Sequence, residues 1–255
     1  MREAVETFLR ERTPGARIPF KTSDVLPEVM TGFRELLDLP HDVRDRWAIT
    51  DAGDDKPDDG LVVREGGSHD FKAFFHFRPR LLKLLRHAGV RINKRQLDWI
   101  AACRELHTRC TACGVEVAGW LDAYFAGLSG GHAPRFQAQA RAMTQHPLRL
   151  LSYDLRPGTI AQAHVDQSLL TLHLWDNYPG LRLWGEPITP VPDECVAFSG
   201  AKAELLSREF GPALPRIVAA THDVVQDPSA TGRREAAVFF LHVPMMLPPG
   251  YVTKR

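Results

Sequence analysis

From Leu148 onward the sequence breaks into short apolar runs separated by Gly, Pro and Asp, and that texture leaves few folds open. The runs are Leu148 to Leu155, Ile160 to Val165, Ser168 to Trp175, Leu181 to Trp184, Glu194 to Phe198, Ile217 to His222 and Ala236 to Val243. Each is bounded by turn-forming residues and predicts a strand. Seven or eight short strands after a helical half predict an antiparallel barrel or jelly roll with helices covering one side.

The preceding half reads as mainly helical. Residues 1 to about 48 carry Val25, Leu26, Val29, Met30, Phe33, Leu36 and Leu37 at helical spacing, and Leu39-Pro40 ends that helix because proline disfavours helical geometry in the residue before it. His41 to Trp47 predicts a short helix. Asp51 to Asp59 is acidic and rich in turn formers, which predicts a surface loop. Leu61-Val-Val predicts a short strand, and His69 to Phe77 gathers aromatics that suit a segment packed on a larger sheet. Residues 80 to 90 and 94 to 127 show the strongest helical pattern. In the second, Leu97, Ile100, Leu106, Val117, Trp120, Leu121 and Phe125 form one apolar stripe, stopped at Ser129-Gly130-Gly131. Such a helix buttresses a sheet. With 44% hydrophobic residues in 255, the chain can bury a substantial core and predicts one domain, 1–145 mainly helical and 146–245 the strand-rich part.

Charge and cysteine usage exclude several classes. The 32 basic and 31 acidic residues leave a formal net charge of +1 and no long basic block, so nucleic acid is not an expected partner. Four cysteines are too few for a disulfide scaffold in a chain this long. Cys110-Thr-Ala-Cys113 lacks a second ligand pair at zinc-finger distance and lies in a helical pattern, which predicts small buried helix residues. No apolar run approaches membrane-spanning length and the first residues are charged throughout. The expectation is a soluble, cytoplasmic protein without a membrane partner.

His164-Val165-Asp166 is the candidate chemistry. A histidine and a carboxylate two apart on a strand share one face. With 11 His and 18 Asp in the chain, His-x-Asp arises by chance roughly 0.8 times, so context decides its meaning. His222 ends a later predicted strand, 222 − 164 = 58 residues on, and strands that far apart can be neighbours in a jelly roll. Two histidines and one carboxylate with the opposite positions open suit non-heme Fe(II) that binds O2 and a co-substrate. Arg234 begins a strand whose same-face positions are Ala236, Val238 and Phe240, and its fixed fork suits an organic carboxylate. The plainer alternatives are an ordinary strand histidine at 164, a turn cap at 166 and a solvated His222-Asp223 pair. His173 reads as core or surface by strict alternation from Asp166, unless a bulge turns it inward.

Together these segments resemble the isopenicillin N synthase-like group of the Fe(II)/2-oxoglutarate-dependent oxygenases. The C-terminal matches are Leu150-Leu-Ser-Tyr-Asp, His164-Val-Asp-Gln-Ser-Leu-Leu-Thr-Leu, Pro179-Gly-Leu-Arg-Leu, Thr221-His222-Asp-Val-Val and Arg234-Glu-Ala-Ala-Val-Phe-Phe, in the family's order. In the N-terminal half, Leu36 to Ala48 and His69 to Phe77 resemble its helix motif and its aromatic segment. The resemblance covers about Val25 to Pro244. It implies an α+β protein with a double-stranded β-helix core, the cupin-like jelly roll, with N-terminal helices and one long buttressing helix. It also implies Fe(II) held by His164, Asp166 and His222, 2-oxoglutarate held through Arg234, and O2-dependent oxidation of a small molecule with release of succinate and CO2.

Two positions depart from that pattern. The family's Arg-x-Ser is Arg234-Glu235-Ala236 here, removing a hydroxyl that would bond the co-substrate carboxylate, a contact worth about 1.5 to 3 kcal/mol. Its Asn-Tyr-Tyr aligns with Ser152-Tyr153-Asp154, which places Ser152 and Tyr153 among co-substrate candidates and an unexpected carboxylate beside them. The loop Asp54 to Phe77 is expected to lid the cavity, with Arg64 and Lys72 as substrate contacts. Three functions follow: a 2-oxoglutarate-dependent oxygenase, a 2-oxoglutarate-independent iron oxidase or cyclase, and a non-catalytic jelly-roll binding protein.

Overall fold

In the computed structural model, residues 2–11, 13, 15–49, 59–64, 72–154, 158–189, 191–209, 216–226 and 232–247 are described. The chain runs α1 (Arg2–Glu11), β1 (Ala16–Pro19), α2 (Leu26–Leu37), α3 (His41–Arg44), β2 (Ala48–Ile49), β3 (Asp59–Arg64), β4 (Lys72–Phe77), α4 (Leu81–His87), α5 (Lys94–Leu128) and α6 (Phe136–Ala142). It continues with β5 (Leu148–Asp154), β6 (Gly158–His164), β7 (Leu170–Asp176), β8 (Leu181–Leu183), β9 (Glu186–Pro187), β10 (Glu194–Ser199), α7 (Ala201–Arg208), β11 (His222–Gln226) and β12 (Arg233–Leu241). An eight-stranded sheet has the order β1-β10-β7-β12-β5-β4-β3-β2, and a four-stranded one β6-β11-β8-β9. All their pairings are antiparallel. This is the expected jelly roll.

Period-two alternation divides the large sheet's residues between two cores. Leu148 and Leu150 of β5 with Ala237, Phe239 and Leu241 of β12 join the core that the helices cover. Leu151, Tyr153, Ala236, Val238 and Phe240 join a smaller core facing the second sheet, with Ile160, Leu181 and Val224 opposite. The molecule is thus helices, large sheet, small sheet. α5 carries the buttress: a capping box pairs Asn93 and Gln96 at its start, and Trp99, Ile100, Cys103, Leu106, Cys110, Val117, Leu121 and Phe125 are buried along it. Among the described residues no helix is long and apolar enough to cross a membrane.

The N-terminal half contributes more sheet than its pattern predicts. Ala16–Pro19 adds an edge strand to β10, with Ala16 and Ile18 inward; an edge is where a proline strand is tolerated. β2, β3 and β4 extend the other side of the large sheet. Asp59, expected on the surface with the acidic loop, is 1% exposed because Arg78 and Arg80 grip its two oxygens at 2.7 and 2.8 Å. The rest of that loop, 51–58, lies outside the described residues.

Ile217 to His222 is also different: β11 starts only at His222. The preceding backbone is satisfied by side chains, with Ser207 Oγ accepting from Ile217 N at 3.0 Å and Glu204 Oε2 from Ala219 N at 2.8 Å. Ser199 Oγ donates to Val218 O at 2.6 Å. Those partners come from α7 and β10, which a local pattern does not reveal.

Behind the large sheet lies a histidine cluster. His107 Nε2 donates to His146 O at 2.8 Å, and His146 Nδ1 accepts the His242 amide at 3.1 Å. Burial and His107 push the His146 imidazole down to about 4; burial, Lys202 and His146 push His242 down to about 3. Both folded values lie below the ordinary one, so the unfolded chain binds more protons below about pH 6.5 and stability falls as pH drops through that range. At pH 5 each histidine withholds up to about 2 kcal/mol. The melting temperature should therefore fall between pH 7.5 and 5.0, and by less in His146→Gln; an unchanged melting curve contradicts this origin of acid lability.

Candidate metal centre

His164 closes β6 and His222 opens β11, and the two are cross-strand partners in the small sheet. Their rings stand 4.2 Å apart, centroid to centroid. Asp166 follows in the turn after β6 rather than on the strand, so its direction is set by the turn and not by pleat alternation. That turn is clamped: Ala201 N donates to Asp166 O at 2.8 Å and Gly200 N to Leu169 O at 2.9 Å. A Cβ on Gly200 would lie 2.2 Å from the Ser168 carbonyl oxygen, so only glycine allows this approach.

The three side chains converge. Asp166 Oδ2 is 3.6 Å from His222 Nε2, Asp166 Oδ1 is 3.9 Å from His164 Nε2, and one donor atom from each residue lies within 4.8 Å of the others. Each histidine donates its other nitrogen to a backbone carbonyl, His164 Nδ1 to Gln162 O at 2.7 Å and His222 Nδ1 to Ala220 O at 3.2 Å. This leaves both Nε2 lone pairs free to point inward. Burial and the neighbouring His222 lower the His164 pKa and keep it in the neutral form a ligand needs. Two nitrogens and a carboxylate with preset tautomers fit a single first-row divalent ion. Thr171 donates to Asp166 Oδ2 at 2.6 Å and orients the carboxylate. Thr171→Val is expected to weaken divalent-metal binding by about 10- to 100-fold, the usual effect of losing an outer partner, and a metal titration checks it.

The centre sits in a cavity of about 70 Å³ between the sheets. Its wall follows the inward faces: Arg149, Leu151 and Tyr153 of β5; Arg234, Ala236, Val238 and Phe240 of β12; Thr171 and His173 of β7; and Lys72 of β4. Arg234 is therefore where its register predicts, 1% exposed, with the Tyr153 ring 5.8 Å from its guanidinium carbon, while Arg233 is exposed. Lys72 lies 5.7 Å from the same ring. Ser152 is not in this wall; it alternates with Tyr153 and pairs with Glu235, whose carboxylate is bound by Arg34 of α2 on the helix side. The side chains of Arg64 and Asp154, like loop residues 65–71, lie outside the described residues.

Two wall residues, Arg149 and His173, and one buried neighbour of Arg234, Asp176, escape the sequence reading. Arg149 shares the parity of Tyr153 and was findable from it; its guanidinium lies 4.6 Å from the Phe240 ring. His173 faces inward because the turn at 165–169 resets the alternation counted from Asp166. Asp176 faces inward because of a bulge: His173 pairs with Val238 but Trp175 with Ala237 and Asp176 with Ala236, so Leu174 is the extra residue. The bulge thus aims Asp176 at Arg234.

Solved structures with this architecture include T7H of Neurospora crassa in complex with alpha-KG and thymine, at 18% identity over 95% of this chain and 81% of that one, with a TM-score of 0.72. The chain has the fold of these oxygenases. AtDAO1, the dioxygenase for auxin oxidation of Arabidopsis thaliana, solved with 2-oxoglutarate, matches at 19% identity over 97% and 91% of the two chains, with a TM-score of 0.68. JOX2, solved with 2OG, Fe and JA, matches at 14% identity over 98% and 72%, with a TM-score of 0.71. No family model and no curated protein matches the sequence.

Proposed function

We propose that the protein is a non-heme Fe(II), 2-oxoglutarate-dependent oxygenase of the isopenicillin N synthase-like group that oxidises a small molecule. The observation that carries this is the convergence of His164, Asp166 and His222 at the mouth of a cavity whose wall holds Arg234. His164 and His222 would bind iron through Nε2 and Asp166 through one carboxylate oxygen. Thr171 holds that carboxylate still, and the backbone partners of the two histidines hold the rings. When bound, iron, 2-oxoglutarate and O2 supply oxidation of a substrate C–H bond, hydroxylation, desaturation or ring closure, with succinate and CO2 as co-products.

The chain's own groups do the rest. Arg234 would take the distal carboxylate of the co-substrate, with the Tyr153 ring beside it. Phe198, 5.1 Å from the His222 ring, and Leu181 line the cavity and would keep water from a bound ion. Lys72 and Arg149 would meet the substrate. We also read residues 1–255 as one domain, supported by a core that runs from Val5 to Val243, and as cytoplasmic, supported by four free cysteines among the described residues.

The test is succinate formation. Fe(II)-loaded protein should convert 2-oxoglutarate to succinate at a rate raised by its substrate, and His164→Ala should not. A loaded protein that never yields succinate with any candidate substrate removes the proposal. Two observations favour the 2-oxoglutarate-independent oxidase instead: Arg234 already has a carboxylate partner in Asp176, and Ala236 offers no hydroxyl.

A further inference from the structure

Arg234 reaches the blind end of the cavity with its charge already met. Its Nη2 donates to Asp176 Oδ2 at 2.5 Å, and the two side chains are 1% and 0% exposed. His173 Nε2 stands 3.2 Å from the same oxygen. The pair is joined at one point only: Arg234 Nε and Asp176 Oδ1 are buried without a hydrogen-bond partner among the described residues. A bidentate fork, the arrangement arginine and a carboxylate prefer, is not formed. Gly180 packs close enough that a Cβ there would lie 3.5 Å from Arg234 Nε and 2.6 Å from the Val225 carbonyl oxygen, so that side of the guanidinium is closed by backbone.

A carboxylate entering this end from the metal side therefore meets an arginine that another carboxylate occupies. It must share the guanidinium with Asp176 or displace it, and two carboxylates on one cation repel. Without a hydroxyl at Ala236, the newcomer has one fewer donor to compensate. The bulge at Leu174 is the structural cause, since unbroken alternation from His173 would turn Trp175 inward in place of Asp176 and leave Arg234 facing the cavity unopposed.

Resting on the oxygenase reading above, we propose that Asp176 is a built-in competitor for Arg234 that makes the site discriminate weakly between dicarboxylate and monocarboxylate 2-oxo acids. It is a positioning residue, acting through the arginine. An unopposed arginine in a buried site favours the ligand with the distal carboxylate by roughly 10- to 100-fold. With Asp176 in place, most of that preference is lost.

Isothermal titration of the Fe(II)-loaded protein without O2, using 2-oxoglutarate and 2-oxobutyrate, decides it. The two acids should bind the wild-type protein with affinities within about 10-fold of each other, because the arginine's preference is already spent on Asp176. In Asp176→Asn, 2-oxoglutarate should bind about 10-fold tighter or more while 2-oxobutyrate is unchanged. A wild-type preference for 2-oxoglutarate of about 100-fold or more overturns the proposal without any variant, should Asp176→Asn not fold. Equal tightening of both acids in the variant overturns it as well, since a general loosening would not distinguish them. If neither acid binds the iron-loaded wild type, the oxygenase reading itself falls and this proposal with it; binding of both with a strong preference for 2-oxoglutarate removes the competition alone.

Discussion

Asp166→Ala is expected to lower Fe(II) affinity by more than about 100-fold and to bring succinate formation to background. The size follows from place. Losing an outer partner of a metal ligand costs about 10- to 100-fold in affinity, and Asp166 is the only anionic member of the converging set, so its removal also takes away the charge that draws a divalent ion between two neutral imidazoles. The same substitution should leave the apo fold intact. Asp166 lies in a turn whose clamps are backbone contacts, Asp166 O to Ala201 N and Leu169 O to Gly200 N, and alanine retains both. Melting curves separate the two effects: at metal concentrations about 100 times the wild-type dissociation constant, the wild type gains roughly 2.7 kcal/mol and the variant less than about 0.4 kcal/mol. A variant that binds iron and turns over 2-oxoglutarate as the wild type does would show that the three side chains meet for some other reason.

The large sheet was legible because its strands alternate cleanly. Leu148, Leu150 and Phe239 against Leu151, Val238 and Phe240 announce a sheet with two buried faces, and Arg234 followed by Ala236 and Val238 gives that arginine its direction before any coordinates. His164 and His222 were legible as end-of-strand residues, though the strand expected before His222 is instead a stretch held by Ser199, Glu204 and Ser207. Alternation fails as a guide wherever the chain stops counting by two. The turn after His164 decouples Asp166 from His173, and the bulge at Leu174 decouples His173 from Asp176. The two buried groups that most alter the reading of Arg234 lie behind those interruptions. Ser152 shows the converse error: a family alignment one residue out of register moves a side chain to the wrong face, and its pairing with Glu235 corrects it.

Trp99→Ala should have the largest effect on stability and almost none on the metal centre. The indole is 1% exposed and donates to Val29 O of α2 at 2.8 Å. Its ring lies 4.8 Å from Phe75 of β4 and 5.9 Å from Trp47, so one side chain ties the buttressing helix to a second helix and to the sheet. Gly32 permits this contact, since a Cβ there would lie 2.2 Å from the indole. Emptying such a site costs about 3 to 5 kcal/mol, which for a chain of this size lowers the melting temperature by roughly 6 to 20 °C. The cavity, however, lies on the opposite face of the large sheet, within the smaller core that Trp99 does not join. Below its melting temperature the variant should bind divalent metal with wild-type affinity. If metal binding is lost while the fold persists, the helical layer does more than buttress, and the separation of scaffold from site by the large sheet is wrong.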